Sequence, residues 1–245
     1  MSGGIRPELA RVPGDFDAIA PTYDLMLALS PGYHRHLRRS VERLRLSPPE
    51  NRPLRLLDLG CGTGASTRAL LRVHPAAEVV AADASAGMLS AALAKPWPGG
   101  VRFVHTRAEQ LSEALAAAGI ATGFDGVLAA YVIRNVTDRD AVLRTVRDLL
   151  APAGRLAVHE YSVADSRRAR LIWRAVCRGV VVPTGWLVSR QTALYRYLER
   201  SVLDFDGVRG LEERLRSAGF CDVATSPMSG LQRGIVHTVI GTKPR

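Results

Sequence analysis

The segment Asp58-Leu59-Gly60-Cys61-Gly62-Thr63-Gly64 restricts this chain more than any other stretch. The apolar run Leu54–Leu59 leads into it, and a helical pattern near 64–73 follows. A strand that feeds a glycine loop and then a helix builds a nucleotide-type site. Glycines let the backbone approach a ligand closely and adopt dihedrals that other residues avoid. The spacing is GxGxG; the last glycine of the dinucleotide pattern GxGxxG is replaced by Ala65. S-adenosylmethionine has no pyrophosphate, and needs room for a methionine backbone and an anion near its ammonium group. Asp58, two residues before the first glycine, can supply that anion directly or through water, or can hold the loop backbone.

Strands and helices alternate beyond this point. Strand candidates are Leu54–Leu59, Glu78–Ala82, Val101–His105, Phe124–Val132 and Gly154–Tyr161, with helices expected near 64–73, 86–95 and 138–150. Such alternation predicts a parallel sheet with helices on both faces, and short continuous apolar strands suit burial inside it. After Tyr161 the rhythm changes. Residues 165–205 read as one or two helices, then come a helix near 207–218 and the strands Cys221–Ser226 and Ile235–Thr242, making seven strands. The first dozen residues read as a loose tail, and 14–46 as helical. The whole length of 245 residues suits one domain with a cofactor-binding core at 54–162.

Asp83 ends the second strand, 25 residues after Asp58. A carboxylate there can accept both ribose hydroxyls, or simply cap the helix that starts at Ser85. Ala84 and Met88 flank it as further cofactor contacts. The turn Thr106-Arg107-Ala108-Glu109 after the third strand is placed to meet an adenine, and is equally compatible with an ordinary helix start. The loop residues Gly60, Cys61, Gly62, Thr63 and Gly64 complete the expected cofactor site with Arg107, Ala108 and Glu109.

Charge widens the field of partners and the distribution of charge narrows it. Lys and Arg number 33 against 23 Asp and Glu, a net charge of +10. That balance can attract nucleic acid, an anionic membrane surface or an acidic ligand. The arginines are scattered, with no basic-aromatic platform and no Asn-Pro-Pro-Tyr motif after the fourth strand, so nucleic acid is not the expected partner. Three cysteines without a CxxC suggest neither a disulfide framework nor a zinc knuckle, and fit a cytoplasmic setting. No metal-ligand cluster is visible. The N-terminus has no apolar run that would make a signal peptide. The apolar stretch Leu171–Val188 contains Arg174, Arg178 and Pro183, which disfavour a membrane span. It leaves open a peripheral membrane contact, an isoprenoid-binding wall, a core helix or a homodimer contact.

Motifs outside the glycine loop carry a family resemblance. Phe16-Asp17-Ala18-Ile19-Ala20-Pro21-Thr22-Tyr23-Asp24-Leu25-Met26, Arg134-Asn135-Val136-Thr137-Asp138, Glu160-Tyr161-Ser162, Tyr195-Arg196-Tyr197-Leu198 and Gly234-Ile235-Val236-His237 resemble blocks of the UbiE-like ubiquinone/menaquinone C-methyltransferases. The similarity runs from about Phe16 to Pro244. Leu27, Leu37, Arg107 and the turn Ala151-Pro152-Ala153-Gly154 depart from the family pattern, and the region between Leu111 and Phe124 is longer.

The resemblance implies a Rossmann-like class I methyltransferase fold, with 14–46 as a helical cover, 165–205 as a helical insertion and 207–245 as the closing helix and strands. It implies S-adenosylmethionine as cofactor and a small lipophilic quinol or aromatic acceptor, methylated on a ring carbon. Arg134 would stabilise a phenolate, since a guanidinium stays protonated and is a poor base. Asn135 would bond the ring oxygen, Tyr131 would line the acceptor pocket, Tyr23 would close over the cofactor and His34 is a candidate proton acceptor. Two other readings stand beside this one: a natural-product methyltransferase acting on a polyketide, indole or terpenoid, and a cofactor-binding module or cyclase that transfers no methyl.

Overall fold

The computed structural model describes residues 7–28, 30, 32–189 and 193–245; residues 1–6, where the sequence reads as a tail, lie outside that range. A seven-stranded sheet forms the centre. Its strands are β1 (Arg55–Leu59), β2 (Glu78–Asp83), β3 (Val101–His105), β4 (Phe124–Ala130), β5 (Leu150–Tyr161), β6 (Cys221–Pro227) and β7 (Val236–Thr242), in the order β3-β2-β1-β4-β5-β7-β6. Only β7 runs against the others, pairing antiparallel with both β5 and β6.

Alternation along each strand divides the core in two. Leu57, Val127, Leu156 and Val158 point to one face, where they pack against Leu111, Leu115, Val142, Leu143, Val146, Leu211 and Leu215. Those residues lie on α5 (Leu111–Ala117), α6 (Arg139–Leu149) and α10 (Val208–Ser217). Leu56, Leu128 and Ala157 point to the other face, against Leu37, Val41 and Leu44 of α2 (Tyr33–Leu44) and Ala69 and Leu70 of α3 (Ala65–Val73). Burial on both faces is why the central strands read as unbroken apolar runs.

Four segments differ from the sequence reading. Helix α1 spans Pro7–Ala28 and so begins well before residue 14. Pro7 fits a first turn, but Pro13 and Pro21 inside the span count against a helix in any local reading. Long-range packing overrides them: Ile19 and Ala20 join Met88 of α4 (Ala86–Leu93) and Leu194 of α9 (Ala193–Leu203) in a separate apolar cluster. The helical pattern of 14–46 is broken at Gly32, whose φ of 82° separates α1 from α2. Helix α5 occupies the long region after Leu111. Strand β5 starts at Leu150 rather than Gly154, because Leu150 pairs with Phe124 before the register shifts to Gly126–Arg155, with Ala153 in the left-handed region at φ 63°.

The insertion resolves into α7 (Arg167–Val176), a π-helical turn (Cys177–Val181), α8 (Val182–Ser189) and α9. Pro183 cannot donate to the carbonyl of residue 179, which accounts for the widened turn just before it.

Candidate active site

The sheet order reverses between β1 and β4, and ligands of open α/β sheets bind outside the carboxyl ends of the strands at such a switch point. A cleft of about 990 Å³, partly open to solvent, lies there. The glycine loop after β1 forms its floor. Gly60, Gly62 and Gly64 all have positive φ, at 74°, 54° and 90°. A Cβ on Gly60 would lie 2.7 Å from Val132 Cβ, and one on Gly64 would strike the Trp97 ring, so both glycines are demanded by protein packing. A Cβ on Gly62 meets no protein atom within 4 Å. Gly62 therefore presents bare backbone to the cleft, the approach a bound methionine moiety requires.

Two carboxylates organise this loop differently. Asp83, at the end of β2, lines the cleft. Its Oδ2 accepts the Gly62 backbone N–H at 2.7 Å, and its Oδ1 accepts that of Ser85 at 2.9 Å. Burial raises its pKa, while the bonds from Ser85 and Gly62 work the other way. Asp58 sits behind the loop, wholly buried and outside the cleft lining. Its Oδ2 accepts from Ser66 Oγ at 2.8 Å and Thr67 Oγ1 at 2.6 Å, whereas Oδ1 has no protein partner. Burial pushes its pKa up to about 7 against the hydroxyls of Thr67 and Ser66. A buried carboxylate with a vacant oxygen under a cleft is well suited to a cationic ligand, so these residues fit S-adenosylmethionine.

The other expected cofactor residues converge. Tyr23, Cys61, Thr63, Ala84, Met88, Arg107, Ala108 and Glu109 line the same cleft. Glu109 accepts the backbone N–H and the hydroxyl of Thr137, at 2.8 and 2.7 Å, and so ties the turn after β3 to the loop after β4. Gly64 lies just beyond the lining, where it opens α3.

Helix α1 closes the cleft through Asp17 and Asp24, two members of the Phe16–Met26 block. Asp24 Oδ1 accepts the Thr63 hydroxyl at 2.6 Å, and its Oδ2 pairs with Lys95 Nζ at 2.5 Å. Lys95 also donates to the Thr63 carbonyl at 2.7 Å. Asp17 Oδ1 accepts the Ser85 hydroxyl at 2.5 Å and the Gly87 N–H at 2.8 Å. Cover and cofactor loops are thus one hydrogen-bonded unit. The repeated Asp in 16–24 was the only local signal for it.

A second wall of the cleft follows β4. Tyr131 has φ 58°, a conformation that non-glycine residues rarely adopt and that marks strain at a functional loop. Its ring stacks on Tyr33 with centroids 5.7 Å apart, and lies 4.8 Å from Tyr161, which in turn lies 4.7 Å from Trp173. Tyr131 Oη bonds His159 Nε2 at 2.9 Å, and His159 Nδ1 bonds Ser40 Oγ at 2.9 Å. Burial, then His36 and Arg43, push the His159 pKa down to about 3, so the ring is neutral. Burial also raises Tyr23, Tyr33 and Tyr131, and takes Tyr161 up to about 12. These tyrosines are hydrogen-bond donors, not bases.

Arg134 lies on the 3-10 turn Ile133–Asn135, is buried and reaches the cleft. Its Nη1 donates to Glu160 Oε1 at 2.6 Å and to the Tyr131 carbonyl at 3.0 Å. Burial opposes its charge, but Glu160 and Tyr161 outweigh that and hold the guanidinium protonated. Asn135 donates to the Tyr131 carbonyl at 3.2 Å and accepts the Tyr197 hydroxyl at 3.0 Å. His34 is exposed on the first turn of α2, edge-on to Tyr33, and does not line the cleft.

The fold and this cleft together define a class I S-adenosylmethionine-dependent methyltransferase. Residues 7–243 match the ubiE/COQ5 methyltransferase family, and the chain belongs to it. It is 35% identical over 235 residues to the ubiquinone/menaquinone biosynthesis C-methyltransferase UbiE of Pseudomonas aeruginosa, covering 94% of this chain and 87% of that one. It is 36% identical over 208 residues to the demethylmenaquinone methyltransferase of Thermus thermophilus, covering 84% and 90%. Among solved structures, the [4+2]-cyclase SpnF superposes with a TM-score of 0.67 at 18% identity over 95% of both chains. Human N-acetylserotonin methyltransferase in complex with S-adenosylmethionine superposes at 0.63 with 15% identity, over 100% of this chain and 60% of that one. These two likenesses concern the fold alone.

Proposed function

We propose that this protein methylates a ring carbon of a reduced, prenylated quinol such as demethylmenaquinol, working as one unit in the cytoplasm with access to a membrane surface. The observation that carries this reading is the cleft's acceptor side: an aromatic wall of Tyr33 and Tyr131 beside the protonated Arg134, next to bare backbone at Gly62. The UbiE and demethylmenaquinone methyltransferase relatives support the quinol as acceptor.

When bound, S-adenosylmethionine supplies an electrophilic methyl group on a sulfonium. The chain's own residues divide the remaining work. Asp83 accepts the ribose hydroxyls while fixing Gly62, and Asp58 braces the loop from beneath through Ser66 and Thr67, becoming an anion as pH rises through about 7. Ala108 and the neighbouring Arg107 and Glu109 flank the adenine. Helix α1, latched by Asp17 and Asp24, excludes water over Tyr23 and Met88. Arg134 stabilises the phenolate form of the quinol, which makes the adjacent ring carbon nucleophilic, and Asn135 holds the ring oxygen. The tyrosine wall orients the ring without competing for its proton.

Incubation with demethylmenaquinol and methyl-labelled S-adenosylmethionine tests the reading. The expected product carries one labelled methyl on the ring carbon, with one S-adenosylhomocysteine released. Labelling of a polyketide, indole or terpenoid with none on the quinol would replace the acceptor. Tight cofactor binding without release of S-adenosylhomocysteine for any acceptor would remove methyl transfer.

A further inference from the structure

Among the described residues, six of the eight exposed large hydrophobic side chains lie between Leu171 and Leu187. They are Leu171, Ile172, Val176, Val180, Trp186 and Leu187, with Leu171, Val180 and Leu187 65%, 57% and 68% accessible. Monomeric soluble surfaces seldom concentrate their apolar side chains in this way. Residues 166–189 also contain five arginines, at 167, 168, 170, 174 and 178, and no Asp or Glu; Arg178 pairs with Glu199 of α9 at 3.0 Å, which leaves four guanidiniums to charge the face.

The helical spacing sorts these residues into rows. Ala169, Trp173 and Cys177 form the buried row, packed with Val163, Val202 and Met228. Ile172, Val176 and Val180 follow at the same spacing on one side, and Arg170, Arg174 and Arg178 on the other. Leu171, Ala175 and Gly179 lie between them on the outermost line, all exposed. An apolar outer face bordered by an arginine edge, on a segment lacking carboxylates, has the chemistry of a helix lying in a lipid–water interface. Among the described residues no helix is long and apolar enough to cross a membrane, so this face would lie on the surface.

We infer that the α7–α8 segment docks on an anionic lipid bilayer, seating Leu171, Ile172, Val176, Val180 and Leu187 among the acyl chains' upper ends with the arginines on lipid phosphates. Charge complementarity selects this occupant: a second copy of the same face would oppose the arginines at 167, 168, 170 and 174 with the same four, Arg178 being paired with Glu199. The position of the segment gives docking a purpose, and here the inference rests on the quinol reading above. Trp173, on the inner side of α7, touches Tyr161, which touches Tyr131 in the cleft. One helix thickness, about 10 Å, separates the proposed bilayer contact from the aromatic wall of the acceptor site.

Co-sedimentation of the full chain with vesicles at low salt decides the matter. The protein is expected to pellet with vesicles of phosphatidylcholine and phosphatidylglycerol in equal parts, and to stay in solution with phosphatidylcholine alone. Arg170→Gln/Arg174→Gln should lower partitioning roughly 30-fold, about fivefold per guanidinium. Ile172→Glu/Val176→Glu should abolish it while keeping the wild-type melting temperature. Failure of the wild type to pellet with the anionic vesicles overturns the inference, as does unchanged binding by both double variants. Loss of a wild-type dimer in Ile172→Glu/Val176→Glu, without any vesicle binding by the wild type, would assign the face to a second copy. With activity, that variant should methylate a short-chain soluble quinol at the wild-type rate and a long-chain quinol in vesicles more slowly. If the wild type methylates neither quinol, the functional reading fails, yet the sedimentation result still stands or falls separately.

Discussion

The carboxylate of Asp83 reaches across from β2 to accept the backbone N–H of Gly62 at 2.7 Å. One side chain thereby shapes the glycine loop and remains at the rim of the cleft. Asp83→Asn loses the anion and sets an amide against that N–H. Cofactor affinity measured by calorimetry should fall about 10- to 100-fold, the cost of a lost charge-assisted hydrogen bond. Unchanged affinity would take Asp83 out of the cofactor site.

Gly60 and Gly62 should fail in opposite ways. At Gly60 a methyl would press on Val132, so Gly60→Ala should unfold at lower temperature. At Gly62 the added atoms enter the cleft, so Gly62→Val should keep most of its fold and lose cofactor binding, with a smaller strain from φ 54°. Melting curves with and without cofactor separate the two; a Gly62→Val protein that still gains stability from the cofactor contradicts the placement.

Asp58 should impose a pH dependence on stability. Its folded pKa is about 7 and its ordinary value is 3.8. Between these values the folded state holds a proton that the unfolded chain has released, so stability falls as pH rises from about 4 to about 7 and then levels off. Asp58→Asn removes this contribution, on the order of a few kcal/mol. Urea unfolding of both proteins near each limit checks it: equal slopes would assign the effect to other groups.

The Tyr131–His159 contact can be tested by a double-mutant cycle. Tyr131→Phe leaves a buried imidazole nitrogen without its partner and should cost about 1–3 kcal/mol. Adding His159→Leu removes the orphaned group and should recover most of that loss. Strictly additive losses would mean that the two side chains do not depend on each other.

Arg134 and Glu160 form a buried ion pair at 2.6 Å, so Arg134→Ala would mix lost chemistry with an uncompensated carboxylate, at about 3–5 kcal/mol. Arg134→Lys keeps the charge and loses the planar fork. Cofactor affinity should stay within about twofold while turnover drops at least about tenfold. A loss confined to cofactor affinity would place Arg134 away from the methyl acceptor.

What could be read from the sequence was local. The strand, glycine loop and helix around Asp58–Gly64 are contiguous, so residue spacing alone placed them, and the apolar runs announced a sheet buried on both faces. Cleft residues that follow strand ends, such as Asp83, Ala108 and Arg134, were within reach for the same reason: strand ends are predictable, and a parallel sheet brings them to one edge. Partnerships were not. Ser40 meets His159 across 119 positions, and Asp24 meets Thr63 across 39, because the order of strands and the seating of α1 bring them together. Nor could spacing decide that Asp58 lies behind the loop while Asp83 lies at its rim, or that His34 stays outside on solvent. Those outcomes depend on which face of an element the core claims, and only the packed sheet and its helices determine that.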